Sequence, residues 1–263
     1  MKFSDAPKII IFGDCESDYL KKIALDLKSF DMTVDCIVTL TRTAFLVSKI
    51  ESFIRIKNRC GIFDTLLRVI HKVILPKFRS KASNKNCDTL REDIIAKKYL
   101  KTQSFSSLEV ANLLSQCKSK IVILAGTGLV SKQFLDLAGQ FCINGHPAIL
   151  PGLRGVDIVE HAILQGKKQG VSCHFVAPQV DSGRVILCRE VGYKYGESFS
   201  EFSHRLLLEQ ARIVAEAAMA ISRDHIECFE QGELGPICFN VSHRQRLKAR
   251  KIYEQENLVN PNR

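Results

Sequence analysis

Two short apolar runs, each stopped by glycine, set the strongest limit on what this chain can fold into. Lys8-Ile-Ile-Ile-Phe12 runs into Gly13, and Lys120-Ile-Val-Ile-Leu-Ala125 runs into Gly126-Thr127-Gly128. Strands this uniformly apolar bury both faces, as in a parallel sheet covered by helices on either side. Ser17 to Phe30 carries a helix pattern and Thr33 to Leu40 reads as a second strand, so the chain opens β-α-β with a right-handed crossover. The same rhythm returns later. Helices are expected over Ser107–Cys117 and Ser131–Ala138, and Phe141–Ile143 makes a brief strand that delivers Asn144 and His146 at its carboxyl end. A helix over Ile158–Gln165 precedes strands Val171–Ala177 and Arg184–Val191, joined by the loop Pro-Gln-Val-Asp-Ser-Gly, which extend the sheet. Ser198-Phe-Ser-Glu201 is a capping box, after which Phe202, Leu206, Ile213, Ala217 and Ile221 mark one face of a long helix. The class is α/β, with a mostly parallel sheet flanked by helices.

A chain of 263 residues suits one large domain, with or without an appended element. The apolar run near the N-terminus meets Asp14 and Glu16 at once, unlike a secretory signal, and no apolar stretch is long enough to span a bilayer. A cytoplasmic protein is expected. Several of the ten cysteines sit in apolar contexts such as Phe-Cys-Ile and Cys-His-Phe, as small buried hydrophobes do. With no Cys-x-x-Cys pair and no zinc-ligand spacing, a metal site is not expected. Charge is uneven: Leu40 to Lys101 holds 15 Lys and Arg against 5 Asp and Glu, a surplus equal to the +10 of the whole chain. Residues 41–102 therefore read as a basic, partly helical insertion, with an amphipathic helix in Gly61–Phe78 stopped by Pro76 and a polar stretch over 81–86. Such a segment meets an anionic partner or a membrane surface, or is a solvated face whose apolar stripe packs on its own domain. Residues 1–225 form the expected catalytic domain, and 226–263, which include the basic run His243–Lys251, a C-terminal extension.

The chemistry-bearing residues cluster around the later strands. An amide at Asn144 can donate to a developing oxyanion, and an imidazole at His146 can move a proton near neutral pH. A carboxylate is then needed to orient and tune that imidazole, and Asp181 in Val-Asp-Ser-Gly is the candidate, although Asp-Ser-Gly is also ordinary turn chemistry. Ser172 and His174 fall on one side of their strand, either to support Asp181 from behind or to pair with backbone groups. Gly126-Thr127-Gly128 lacks the third glycine of a dinucleotide loop and the lysine of a phosphate loop. No Gly-x-Ser-x-Gly marks a serine nucleophile.

Three stretches taken together, Ile123–Phe134 (ILAGTGLVSKQF), Ile143–Gly155 (INGHPAILPGLRG) and Val171–Ile186 (VSCHFVAPQVDSGRVI), resemble the folate-dependent formyltransferase family. Its members include glycinamide ribonucleotide transformylase, methionyl-tRNA formyltransferase and sugar N-formyltransferases. The resemblance implies a Rossmann-like fold and transfer of a formyl group from 10-formyltetrahydrofolate to an amine. By position it makes Asn144, His146 and Asp181 the catalytic trio. It lays the folate head against Thr127, Gly128, Leu129 and Val130 and the turn Ala148, Ile149, Leu150 and Pro151. Departures bear on the acceptor. Gly13-Asp-Cys-Glu-Ser17 stands where the purine enzyme carries its phosphate-binding loop, and its two acids would repel a phosphate. The separate C-terminal domain of the tRNA enzyme has only a short tail as counterpart, and Ala148 replaces the usual serine of the turn. The acceptor expected is an amino sugar, carried on a nucleotide. The alternatives are charged initiator tRNA bound through the basic segment, another small amine, or a binding module of the same fold with little catalysis.

Overall fold

A computed structural model of the protein describes residues 6–14, 17–41, 43–48, 50–51, 54 and 95–259. The basic helix expected within 61–78 and the polar stretch 81–86 lie outside the described residues. The strands are β1 (Lys8–Gly13), β2 (Val34–Leu40), β3 (Ala96–Thr102), β4 (Lys120–Ala125), β5 (Cys142–His146), β6 (Arg154–Gly155), β7 (Gly170–Phe175), β8 (Val185–Glu190) and β9 (Ile237–Cys238). Helices α1 (Asp18–Ser29), α2 (Leu108–Gln116), α3 (Lys132–Ala138), α4 (Ile158–Leu164), α5 (Phe199–Ser222) and α6 (His243–Val259) surround them. Seven strands form one sheet in the order β3-β2-β1-β4-β5-β7-β8, parallel through β5 and antiparallel from β5 onward, and β6 with β9 makes a small parallel pair beside it.

Alternation along each strand sorts the core into two layers. Ile9, Ile11, Ile121, Ile123 and Ile143 pack with buried residues of α1, α5 and α6, while Ile10, Phe12, Val122, Leu124 and Cys142 pack with α2 and α3. Each fully buried Ile or Phe contributes about 1.5–3 kcal/mol. The long helix starts on the predicted capping box, with Ser198 and Glu201 exchanging bonds, and all five marked residues of its apolar face are buried. No helix among the described residues is long and apolar enough to cross a membrane.

Two expectations need correcting. The segment 96–102, read as part of the insertion, is strand β3 at the sheet edge; its exposed Lys97, Lys98 and Lys101 hide the strand signal, as edge strands do when they guard against pairing with other chains. The brief strand expected over 141–143 runs instead from Cys142 to His146, so Asn144 and His146 are themselves strand residues. Pairing with β7 extends it past the point where apolar character ends.

Candidate active site

Antiparallel pairing of β5 with β7 sets Asn144 opposite His174 and His146 opposite Ser172, so four polar side chains share one face of the sheet. The alternate residues turn the other way: Ile143 and Cys173 are buried in the layer with α5. Gly145 is required there, because a Cβ would collide with the Tyr19 hydroxyl and the Val214 side chain. Gln210 of α5 ties this point by donating to the Gly145 carbonyl at 2.7 Å. The packing of α1 and α5 thus aims Asn144 and His146 away from those helices.

The loop after β7 carries Asp181 back to this face. Its Oδ2 lies 3.5 Å from His146 Nδ1 and its Oδ1 3.6 Å from His174 Nε2, and the Gly155 N–H donates to Oδ2 at 2.9 Å. One carboxylate therefore bridges two imidazoles. Its backbone has φ +48, a left-handed conformation that Asp tolerates better than most residues. Asn144 is half-buried, with Nδ2 3.5 Å from His174 Nε2. All three residues of the expected trio meet here, with His174 between two of them.

His146 is 3% exposed. Its Nε2–H donates to the Leu153 carbonyl at 2.9 Å, so in the neutral ring the lone pair is on Nδ1 and faces Asp181. Burial pulls the imidazole pKa below its ordinary value; the Asp181 charge and the Leu153 carbonyl oppose that shift without cancelling it. For Asp181 the balance runs the other way. Burial pushes its carboxyl up, but the His174 and His146 rings and the Gly155 N–H outweigh it and hold the group below the usual carboxylate range. The resting site is a neutral base beside an ionised acid.

Ser172 and His174 divide the two roles left open for them. Ser172, fully buried, donates to the Ala148 carbonyl at 2.7 Å and accepts from the Leu150 N–H at 3.1 Å, which fixes the turn 148–151 with its cis Leu150–Pro151 bond. His174 reaches Asp181 and also bonds the Phe175 carbonyl through Nδ1 at 2.8 Å. Within the turn Ala148 and Leu150 are buried, while Ile149 and Pro151 are half-buried. A cleft of about 280 Å³ opens beside it, lined by Ala148, Ile149, Gly152, Leu153, Lys167 and Lys168. Directly after β4, Gly126 and Gly128 take left-handed φ of +76 and +74, and Leu129 is 78% exposed with Thr127 and Val130 half-buried.

Two residues that sequence reasoning did not single out hold the Asp181 loop. Arg154, buried, donates from Nη1 to the Val180 carbonyl at 2.9 Å and from Nε to the Gly235 carbonyl at 3.0 Å. Gln231 donates from Nε2 to the carbonyls of Asp181 and Gly183, at 2.9 and 2.6 Å. The Arg154-Gly155 pair was visible as the end of a motif. Gln231 left no signal, since it acts on backbone 50 residues away.

A family model described as formyl transferase matches residues 80–218, more than half of the chain. The chain belongs to the formyl transferase family. It is 27% identical over 160 residues to a methionyl-tRNA formyltransferase of Borrelia turicatae, covering 58% of this chain and 52% of that protein. The chain thus spans about half the length of the curated relatives it matches. Among solved structures, glycinamide ribonucleotide transformylase 1 of Symbiobacterium toebii superposes with a TM-score of 0.55 at 19% identity, covering 84% of this chain and 90% of that one. The formyltransferase PseJ of Anoxybacillus kamchatkensis, in complex with UDP-4,6-dideoxy-4-formamido-L-AltNAc and tetrahydrofolate, gives 0.52 at 17% identity, covering 88% and 85%. The mostly parallel seven-stranded sheet is the Rossmann-like fold of this family.

Proposed function

We propose that this formyl transferase moves a formyl group from 10-formyltetrahydrofolate to a primary amine, with Asn144, His146 and Asp181 as catalytic residues. The observation that carries the reading is the 3.5 Å approach of Asp181 to the Nδ1 of a buried, neutral His146. Bound at this site, 10-formyltetrahydrofolate would supply an activated formyl carbon that exchanges its folate nitrogen for the amine, with one proton passing from amine to folate. The residues present fit such a group. Ile149 lines the cleft as apolar wall, and the backbone of 127–130, after the end of β4, stands open around Gly128 and the exposed Leu129. The turn's own polar groups are largely spent, because Ala148 O and Leu150 N–H bond Ser172, Ile149 O accepts from Gly152, and Pro151 O accepts from Gly235. Hydrogen bonds to a pterin therefore fall to Thr127, Gly128, Leu129 and Val130, and the turn supplies mainly shape.

His146 is the proton carrier. Its Nδ1 lone pair accepts a proton in front of the Asp181 carboxylate, which stabilises the imidazolium, while Leu153 holds the opposite edge of the ring. Asn144 is the half-exposed donor of the trio, and its Nδ2 is free to move from the long contact with His174 to an oxygen gaining charge. His174, standing between Asp181 and Asn144, keeps amide and carboxylate apart.

The preferred acceptor is an amino sugar carried on a nucleotide. Supporting it, Ser17 already caps α1 by accepting from Leu20 N–H, and Asp14 lies at the same helix end, so this N-terminus is poorly suited to a substrate phosphate. The likeness to PseJ, whose complex holds a nucleotide-linked formamido sugar, points the same way. A second reading, methionyl-tRNA as acceptor, is favoured by the curated relatives and by the basic segment before β3. Supplying 10-formyltetrahydrofolate with a panel of nucleotide-linked amino sugars, and separately with methionyl-tRNA, discriminates. Turnover on a sugar supports the preferred acceptor; turnover on tRNA alone, falling steeply with salt, replaces it. Turnover on no amine rejects formyl transfer.

A further inference from the structure

The segment between α5 and α6 is woven into the site rather than appended to it. Phe229 exchanges both backbone hydrogen bonds with Val185 at 3.0 Å, Gly235 N–H donates to Pro151 O, Arg154 N–H donates to Pro236 O, and Val156 N–H donates to Cys238 O. Gly235 presses so closely on the folate turn that a Cβ there would collide with the carbonyls of Pro151 and Gly152. Inside this strap Gln231 is 7% exposed, and its amide spends both N–H groups on the carbonyls of Asp181 and Gly183. These two bonds flank the left-handed turn at Asp181, whose φ is +48, and so fix the direction in which its side chain leaves the loop. Arg154 secures the preceding residue, Val180, and also grips the strap at Gly235.

We infer that Gln231 is a positioning residue for the proposed reaction: by clamping the carbonyls of Asp181 and Gly183 it holds the Asp181 carboxylate between His146 and His174. This rests on the catalytic reading above but not on which amine is formylated. Arg154 holds the loop at Val180 and the Phe175 N–H holds it at the Arg184 carbonyl, while the Ser182 hydroxyl turns inward to the Gln179 carbonyl of the same loop; Gln231 bonds the carbonyls on both sides of Ser182, next to the carboxylate itself. The chain beyond the long helix would then be part of the catalytic apparatus.

The test uses Gln231→Met, which keeps length and volume but removes both donors, in the full chain. Expected is a fall in kcat of about 10- to 100-fold with KM for 10-formyltetrahydrofolate within about two-fold, as for a catalytic group displaced by an ångström. In the same variant the Asp181 carboxyl, followed by carbon NMR, should titrate upward toward the ordinary carboxylate value, because His146, His174 and Gly155 no longer surround it. Wild-type kcat together with an unchanged Asp181 titration would overturn the inference. If Gln231→Met does not fold, Gln231→Glu, nearly isosteric and unable to donate to both carbonyls when ionised, carries the same comparison. If wild type formylates nothing, the catalytic proposal fails, and the carboxyl titration still decides whether Gln231 holds Asp181.

Discussion

The two halves of the sheet follow opposite rules. In β1 and β4 every residue from Ile9 to Phe12 and from Ile121 to Ala125 is apolar and at most 4% exposed, with helices on both faces. On one face of the β5–β7 seam the pairs are Asn144 with His174 and His146 with Ser172, polar facing polar, and all but Asn144 are buried. Burying polar groups costs stability unless each finds a partner. Here Leu153, Phe175, Ala148 and Leu150 supply backbone partners, and Asp181 supplies a charge. The centre of the parallel half is uniformly apolar; the antiparallel seam buries polar groups that depend on those partners. The change from parallel to antiparallel pairing is what allows it, because β7 then runs back past β5 and its loop can return a carboxylate to the same face.

That contrast can be broken by exchanging the consequences of substitution. The largest effect falls on the seam: His146→Ala should lower kcat by about 10²- to 10⁴-fold while circular dichroism stays that of the folded protein. Steady-state kinetics on refolded and freshly purified protein checks it, and a variant that loses fold and activity together would place His146 among scaffold residues. On the other side, Ile123→Ala should cost about 2–5 kcal/mol in urea unfolding and leave kcat per folded molecule unchanged. Ser172→Ala sits between the two. It strips partners from the buried Ala148 carbonyl and Leu150 N–H, so a loss of about 1–3 kcal/mol is expected, together with a raised KM for the folate donor as the turn loosens.

The smallest effect is a pH dependence. His146 has its pKa pulled below the ordinary 6.5 by burial, so as pH falls through 6.5 the unfolded chain takes up a proton before the folded one does. Stability should therefore drop from pH 6.5 downward until His146 titrates within the fold. Asp181 acts in a lower window: its stabilising contribution is complete above the ordinary 3.8 and is lost as pH falls below it. Urea midpoints measured across this range should slope for wild type and flatten below pH 6.5 for His146→Gln. Equal slopes would mean that burial of His146 does not govern the seam.

The same division explains what was legible in the sequence. The parallel half announces itself, because Ile-Ile-Ile-Phe and Ile-Val-Ile-Leu have few other places to go than a covered sheet. The edge strand β3 does not, since Ala-Lys-Lys-Tyr-Leu-Lys-Thr carries charge where a core strand carries Val or Ile. Asn144, His146 and Asp181 were found through motif order, and the structure brings them together. Gln231 and the strap were not, because a side chain bonding distant carbonyls imposes no period and no spacing on the residues around it. Within the turn 148–151, expected to lie against the folate, Ala148 and Leu150 are buried while Ile149 and Pro151 are half-buried, and the turn is held by Ser172, a residue more than twenty positions away that local sequence does not reveal.

The most direct test is a single-turnover experiment with 10-formyltetrahydrofolate labelled in its formyl carbon, run on wild type and on Asp181→Asn with the best amine found. If an ionised Asp181 sustains the proton carried by His146, the label should reach the amine in wild type and do so at least about 100-fold more slowly in the variant, with donor binding retained. Transfer at the same rate in both proteins would contradict the account.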